Sequence, residues 1–340
     1  MKRILLVLLA LFAAACGRPA LHSQESYVFG TRVEVLVWGE PEDKARAATA
    51  EVLREFDRYH RTYHAWQPSE MTALNDALAA GRPHEVTPEF AGYVREAQDV
   101  AAKGEYLFDP GIGRLIQLWG FHDDAFKAQL PDQARLAELI RAKPSIGQIK
   151  VDGTIVSRGS TPDGAVALDF GGYLKGVALD RAVAIFKERG IANALINIGG
   201  NVMALGSKGG TPWRVGIQHP RAATPLATLE LRDGEAIGTS GDYQRYFELD
   251  GKRYCHLIDP RTGWPSTGTQ AVSVLIPPGF GAGRAGMWSD VASKPLFIAG
   301  TDWRRLADRL GVTQVLRVDA QGGIELTDAM RARVKLESKP

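Results

Sequence analysis

Residues 167–201 read ALDFGGYLKGVALDRAVAIFKERGIANALINIGGN. An apolar run ending in Asp169 is followed by the glycine pair Gly171 and Gly172, by Lys175, by an amphipathic stretch, and by a second apolar run ending in Gly199, Gly200 and Asn201. The pattern predicts strand, turn, helix and strand, with two strand ends meeting one helix start. Glycines where a strand hands over to a helix let a ligand approach the backbone, and the positive end of the helix favours an anion, most often a phosphate. The same glycines also serve as plain tight turns, and the motif alone leaves both readings open.

Upstream, residues 17–26 are polar and contain proline, and read as a tether. Residues 27–38 alternate Val33, Val35 and Val37 with polar neighbours, the period of a half-buried strand. A helix is predicted over about 41–59, with Pro41 at its first helical position, and another over 87–103, started by the cap Thr87, Pro88 and the first-turn acid Glu89. Between them, HAWQPSEMTALNDAL reads as a loop entering a short helix. Residues 106–122, YLFDPGIGRLIQLWGFH, place Asp109 among glycines and apolar side chains, where an aspartate caps a turn or faces a ligand. A structural helix follows over 132–143, and short strands joined by glycine turns over 148–170.

Downstream the chain is strand-rich at 213–220, 227–265 and 270–278, with Asp-Gly pairs at Asp233 and Asp250 read as hairpin turns. A late helix is predicted over 302–310, capped by Thr301 and ended by Gly311. Helices interleaved with antiparallel hairpins give an α+β class, with residues 27–340 as a single domain.

The first 15 residues carry Lys2 and Arg3 and then an apolar run, too short for the roughly 20 residues of a membrane-spanning helix but suited to a secretory signal. Cys16 follows Ala13, Ala14 and Ala15, which resembles a bacterial lipobox and implies cleavage before Cys16 and its lipidation; ordinary cleavage after an Ala-x-Ala site is the alternative. Acyl chains on Cys16 would hold the protein on a membrane face. Without residues 1–15 the basic and acidic residues are equal in number, which argues against a nucleic-acid partner. Cys255 is the only other cysteine, so with Cys16 acylated no disulfide forms within the chain and stability rests on a core, which the 45% hydrophobic content can supply.

His256 sits at a strand end in HLIDPRTGWP, and Ser240 and Asp242 lie in TSGDYQRY. A Ser240–His256–Asp242 hydrolase can be assembled on paper, but Ser240 lacks the G-x-S-x-G elbow. The sequence contains neither a Cys/His metal cluster nor a Walker-type G-x-x-x-x-G-K-[ST] run.

In order and spacing, FGT, WQPSEMTALN, LFDPGIGRLIQLWGF, LDFGGYLKGVALD, INIGGN, WRVGIQHP, TSGDYQRY and HLIDPRTGWP resemble the successive signatures of the ApbE family of FAD:protein FMN transferases. The resemblance implies an ApbE-like fold of mixed and antiparallel sheets flanked by helices, with an FAD cleft between lobes. The implied reaction splits FAD, moves FMN to a Thr or Ser hydroxyl of an exported acceptor protein carrying a Thr-containing flavinylation motif, and releases AMP at the periplasmic side of the bacterial envelope. By motif position, Phe29, Trp66, Leu107, Phe108, Asp109, Asp169, Lys175 and Ile258 would line the FAD site, with Trp66 stacking on the flavin and Lys175 on the phosphates. His256 would handle the acceptor proton.

The family pattern also implies Mg2+, held by a backbone oxygen at Gly172 and by a run that usually reads D-A-x-D/A-T. This chain reads SDVASKPLF there: Asp290 is kept, while Ser293 and Lys294 fill the later positions. A protonated lysine offers three donors and no lone pair, so it repels a cation. Either Lys294 pairs with Asp290 and presents its charge to the diphosphate, or the site is degenerate and the protein only binds flavin. The intact FAD-facing motifs favour the first, with weak or absent Mg2+ dependence. Hydrolysis of FAD to FMN and AMP would use the same site.

Overall fold

One large sheet carries the fold: residues 31–38 alternate buried and half-buried positions, whereas the central strands at 194–198, 201–205 and 269–276 are buried on both faces. The computed structural model describes residues 20–123, 125–159 and 165–337. Its main sheet has eight strands, all antiparallel, whose spatial order follows the chain: β1 (Leu21–Val28), β2 (Thr31–Trp38), β3 (Ala194–Ile198), β4 (Asn201–Leu205), β5 (Ala236–Gly241), β6 (Thr269–Ile276), β7 (Val315–Asp319) and β8 (Ile324–Leu326). Successive residues point to opposite faces. Val33, Val35 and Val37 of β2 and Val272, Val274 and Ile276 of β6 face a helical layer. Leu195, Ala271, Leu275 and Leu316 face a three-stranded sheet formed by Trp213–Gln218, Pro225–Leu231 and Val334–Leu336.

The helical layer comprises α1 (Glu42–Thr62), α2 (Glu70–Ala79), α3 (Pro88–Lys103), α4 (Leu174–Glu188), α5 (Ala285–Ala299) and α6 (Trp303–Leu310). Thr87 caps α3 through its hydroxyl with Pro88 at the first position, as the sequence predicts. A third cluster unites residues 112–140 with the hairpin Tyr246–Leu249/Lys252–Cys255 through stacking of Trp119, Phe121, Phe247 and Tyr254. This aromatic lobe faces the helical layer across a cleft.

Several sequence expectations need correction. The polar run 17–26 is not a tether throughout, because from Leu21 onward it pairs with β2. The run ending in Asp169 is no regular strand: a single parallel bridge joins Ala167 to Ile112, while the Asn75 side chain takes both backbone groups of Leu168, at 2.9 and 2.7 Å. Gly199 and Gly200, at φ +58° and +91°, form the tight turn between β3 and β4, and their backbone is used in that hairpin rather than in a helix start. The Asp233-Gly234 pair links strands that go to different sheets, so of these two pairs Asp250-Gly251 alone makes a true hairpin. Pro41 precedes α1 at the cap position, and α6 follows Asp302 rather than a Thr301 cap. The signal-like residues 1–15 and Cys16 lie outside the described residues.

Helix α5 is buried along its whole length except Ala299. It crosses α4 where Gly176 meets Gly286: a methyl on Gly176 would lie 2.5 Å from the Gly286 carbonyl oxygen, and one on Gly286 would lie 2.7 Å from that of Gly176. Backbone cannot yield as a side-chain tip can. Gly176→Ala and Gly286→Ala are therefore expected to lose about 1–3 kcal/mol in denaturant unfolding. Gly92→Ala in α3 meets nothing within 4 Å and is expected to gain up to about 1 kcal/mol from helix propensity. Equal effects at the three positions would refute the close crossing.

Candidate active site

The cleft between the helical layer and the aromatic lobe has a volume of about 590 Å³, within the roughly 300–1,000 Å³ of small-molecule sites. Its first wall is the β1–β2 turn and the loop after α1, bringing in Phe29 and Trp66. Phe29 takes φ +58° in the tight turn and packs on Phe56 and His60, with ring centroids 5.9 and 6.0 Å away. Trp66 meets His122 edge-on at 5.5 Å. The second wall is Leu107, Phe108 and Asp109. Asp109 both caps and lines: its Oδ1 accepts the N–H groups of Gly111 and Ile146, each at 2.8 Å, and burial raises its pKa above the usual carboxylate value.

Asp169, Gly172, Lys175 and Lys294 form the floor. Asp169 accepts the Gly171 N–H at 2.7 Å, and burial pushes its pKa up against the pull of that bond and of nearby Arg245 and Lys175. Lys175 donates to the Gly171 carbonyl at 2.9 Å. The helix start is less open than its sequence suggests: Leu174 N–H is bonded to Phe170 O at 2.9 Å and Gly176 N–H to Asp290 Oδ2 at 3.0 Å. Recognition of an anion here therefore falls to lysine side chains rather than to those N–H groups.

The far wall carries His256 and Ile258. His256 follows the strand Lys252–Cys255 directly, so the aromatic hairpin fixes its place. Its Nδ1 lies 3.2 Å from the Arg245 carbonyl oxygen. A carbonyl only accepts, so Nδ1 carries the proton and Nε2 keeps its lone pair. Burial, with the charges of Arg245 and Lys175, lowers the pKa of His256 from 6.5 to about 3. The ring is thus neutral at physiological pH.

Asp290 and Ser293, read as metal ligands from the sequence, do not line the cleft; each is 1% exposed. Ser293 donates to Asp290 O at 2.8 Å and lies 2.7 Å from Ser240 Oγ. The hydrolase arrangement is also dispersed: Ser240 faces Ser293, Asp242 pairs with Arg221 at 2.6 Å, and His256 faces a carbonyl. Lys294 donates to Asp290 Oδ1 at 2.6 Å, the pairing expected from the sequence. Burial lowers the pKa of Lys294 despite Asp290; burial is also the largest influence on Asp290 and raises its pKa, but the charges of Lys294 and Lys175 and the hydrogen bonds from Lys294 and Gly176 together outweigh it and leave the carboxyl below its ordinary value.

Sequence reasoning passed over His60, His64 and Arg245, all of which line the cleft. His64 Nδ1 accepts the backbone N–H groups of Trp66 and Gln67 at 3.1 Å and so sets the Trp66 loop. Arg245 donates to the Phe121 and Asp123 carbonyls at 3.1 Å, tying the two parts of the aromatic lobe together. His64 stands in HAWQPSEM and Arg245 in TSGDYQRY, both already marked as motifs, but nothing in either run says which side chain turns inward.

The α+β scaffold thus carries a cleft with aromatic side chains on its walls and two lysines on its floor, surfaces of the kind an aromatic, anionic ligand requires. The chain belongs to the ApbE family, whose family model matches residues 29–316. It is 43% identical over 314 residues to an FAD:protein FMN transferase of Rhodobacter capsulatus, covering 92% of this chain and 58% of that longer protein. It is 33% identical over 253 residues to an FAD:protein FMN transferase of Klebsiella pneumoniae, covering 73% and 71% of the two chains. The crystal structure of the ApbE protein from Thermotoga maritima superposes with a TM-score of 0.82 at 27% identity, covering 92% of this chain and 99% of that one.

The neutral His256 has a stability signature. Its folded pKa is depressed, so its contribution is present above the unfolded value of 6.5 and is lost as pH falls from 6.5 toward about 3. Unfolding free energy is expected to fall with acidification more steeply in the wild type than in His256→Asn, the difference approaching about 1.4 kcal/mol per pH unit for one proton. Parallel curves between these pH values would mean that the ring is not held neutral by burial.

Proposed function

We propose that this chain binds FAD in the cleft and transfers its FMN moiety to a threonine hydroxyl of an acceptor protein, releasing AMP. The observation that carries the reading is the convergence on one cleft of aromatic side chains (Trp66, Phe29, Phe108), two lysines (Lys175, Lys294) and a neutral histidine, His256. The names of the relatives agree with it.

In this reading Trp66 stacks on the isoalloxazine ring, while Phe29, Leu107, Phe108 and Ile258 exclude water around it. Asp109 and Asp169 hold the two backbone turns that border the ligand, through the N–H groups of Gly111, Ile146 and Gly171. Lys175 and Lys294 face the diphosphate. The acceptor hydroxyl attacks the phosphorus on the FMN side, and its proton passes to His256 Nε2. The new oxygen–phosphorus bond forms as the bond to AMP breaks, and AMP leaves with the electron pair. Growing negative charge on the leaving phosphate is met by ammonium groups already in place, which is how fixed charges lower such barriers.

The acceptor is an exported protein with a Thr-containing flavinylation motif, and the enzyme works at the bacterial envelope, facing the periplasm and anchored by lipid at Cys16. The signal-like run 1–15 and the alanines before Cys16 support that placement. No nucleic-acid partner is proposed.

Incubation with FAD and a threonine-bearing acceptor is expected to yield acceptor carrying covalent FMN and one AMP per FMN transferred. Free FMN with unmodified acceptor would indicate hydrolysis, and tight FAD binding without AMP would indicate a flavin binder. His256→Asn is expected to slow transfer about 10²–10⁴-fold while FAD affinity stays near the wild-type value. A variant that transfers at the wild-type rate would remove His256 from the reaction.

A further inference from the structure

The residues at the position the family pattern gives to Mg2+ do not fit a divalent ion. Both Asp290 oxygens are engaged, Oδ1 by Lys294 Nζ at 2.6 Å and Oδ2 by Gly176 N–H at 3.0 Å. Ser293 is turned away toward Ser240. Among the described residues, no group of three or more His, Cys, Asp or Glu could hold a metal. The side chain that reaches the cleft at this place is itself a cation, Lys294.

Lys294 is held at both ends. Its ammonium donates to Asp290 O at 2.8 Å and to Oδ1 at 2.6 Å, which uses two of its three N–H groups and leaves the third for the cleft. Its stem lies in a slot made by a missing side chain: a methyl on Gly172 would stand 2.7 Å from Lys294 Cε and 3.1 Å from Cδ. The Phe108 ring bounds the slot, its Cε2 3.0 Å from that same methyl position and its centroid 5.8 Å from Nζ. An ammonium fixed in this way needs little reorganisation when an anion arrives, which is the property a bound metal ion otherwise supplies.

We propose that Lys294 is the resident cation of this cleft: pinned by Asp290 and seated against Gly172, it binds the FAD diphosphate in place of a divalent ion, so flavin binding and transfer proceed without one. The proposal rests on the FAD reading above. Asp290 and Gly172 are positioning residues in this scheme, and the third N–H of Lys294 is the group that touches phosphate.

The test uses the full chain, first without any substitution. In excess chelator, the FAD dissociation constant and the rate of AMP release are expected to stay within about twofold of their values in excess Mg2+. Loss of FAD binding in chelator, with recovery in Mg2+, would overturn the proposal. Lys294→Thr removes the ammonium and frees Asp290 Oδ1. It is expected to bind FAD more than about tenfold more weakly in chelator, to regain affinity in Mg2+, and to take up Mn2+ without flavin, read by electron paramagnetic resonance, where the wild type takes up none. A variant binding no more Mn2+ than its parent would contradict the claim that the lysine fills a cation's place. If neither protein binds FAD in any condition, the flavin reading fails, and the Mn2+ comparison still decides what Lys294 replaces.

Discussion

The crossing of α4 and α5 at Gly176 and Gly286 is the constraint on which the rest of the molecule depends. With no side chain on either residue, the two backbones approach until Asp290 Oδ2 reaches the Gly176 N–H and Asp180 accepts the N–H groups of Gly286 and Met287 at 2.8 and 3.0 Å. Each helix is thereby fixed by a carboxylate from the other. The cleft floor is a consequence of this contact, because Lys175 belongs to the first turn of α4 and Lys294 to α5, and their separation is set where the helices touch.

The Asp290–Lys294 pair is poorly explained as a stability device. Taking both charges out of water costs as much as their attraction returns in most buried pairs, and well-packed apolar replacements often do as well. Holding a charge on the floor of a cleft where an anion would lie is what an apolar replacement could not do. The same weighing applies to His256, whose burial removes its charge and leaves a ring able to accept a proton. The cleft thus holds cations where a diphosphate would lie and a neutral base where a hydroxyl would come.

Local chemistry in the sequence predicted local structure well. The Thr87–Pro88 start, the alternating valines of β2 and the strand end at His256 all form as their residues suggest, because each depends on near neighbours. Elements governed by distant partners were not legible. The run before Asp169 reads as a strand from its apolar residues, yet its backbone bonds go to Asn75 and to residues 110–113. Helix α5 carries no amphipathic period because it is buried on every side, and it contains Gly286, two serines and Pro295. The candidate site was legible through its motifs, and the cleft gathers nearly all of the residues so marked. Asp290 and Ser293 were displaced from it because helix rotation, invisible in sequence, turns them inward and Lys294 outward. His64 and Arg245 escaped because only the folded chain brings them to the cleft.

The central claim is that one cleft holds FAD with its diphosphate on the floor built by α4 and α5. A crystal structure with FAD bound tests it most directly. The account predicts the flavin against Trp66, the diphosphate within hydrogen-bond distance of Lys175 and Lys294 Nζ, and His256 on the FMN side of the phosphorus. A diphosphate bound elsewhere, or held through a metal ion coordinated by Asp290 with Lys294 displaced, would contradict it.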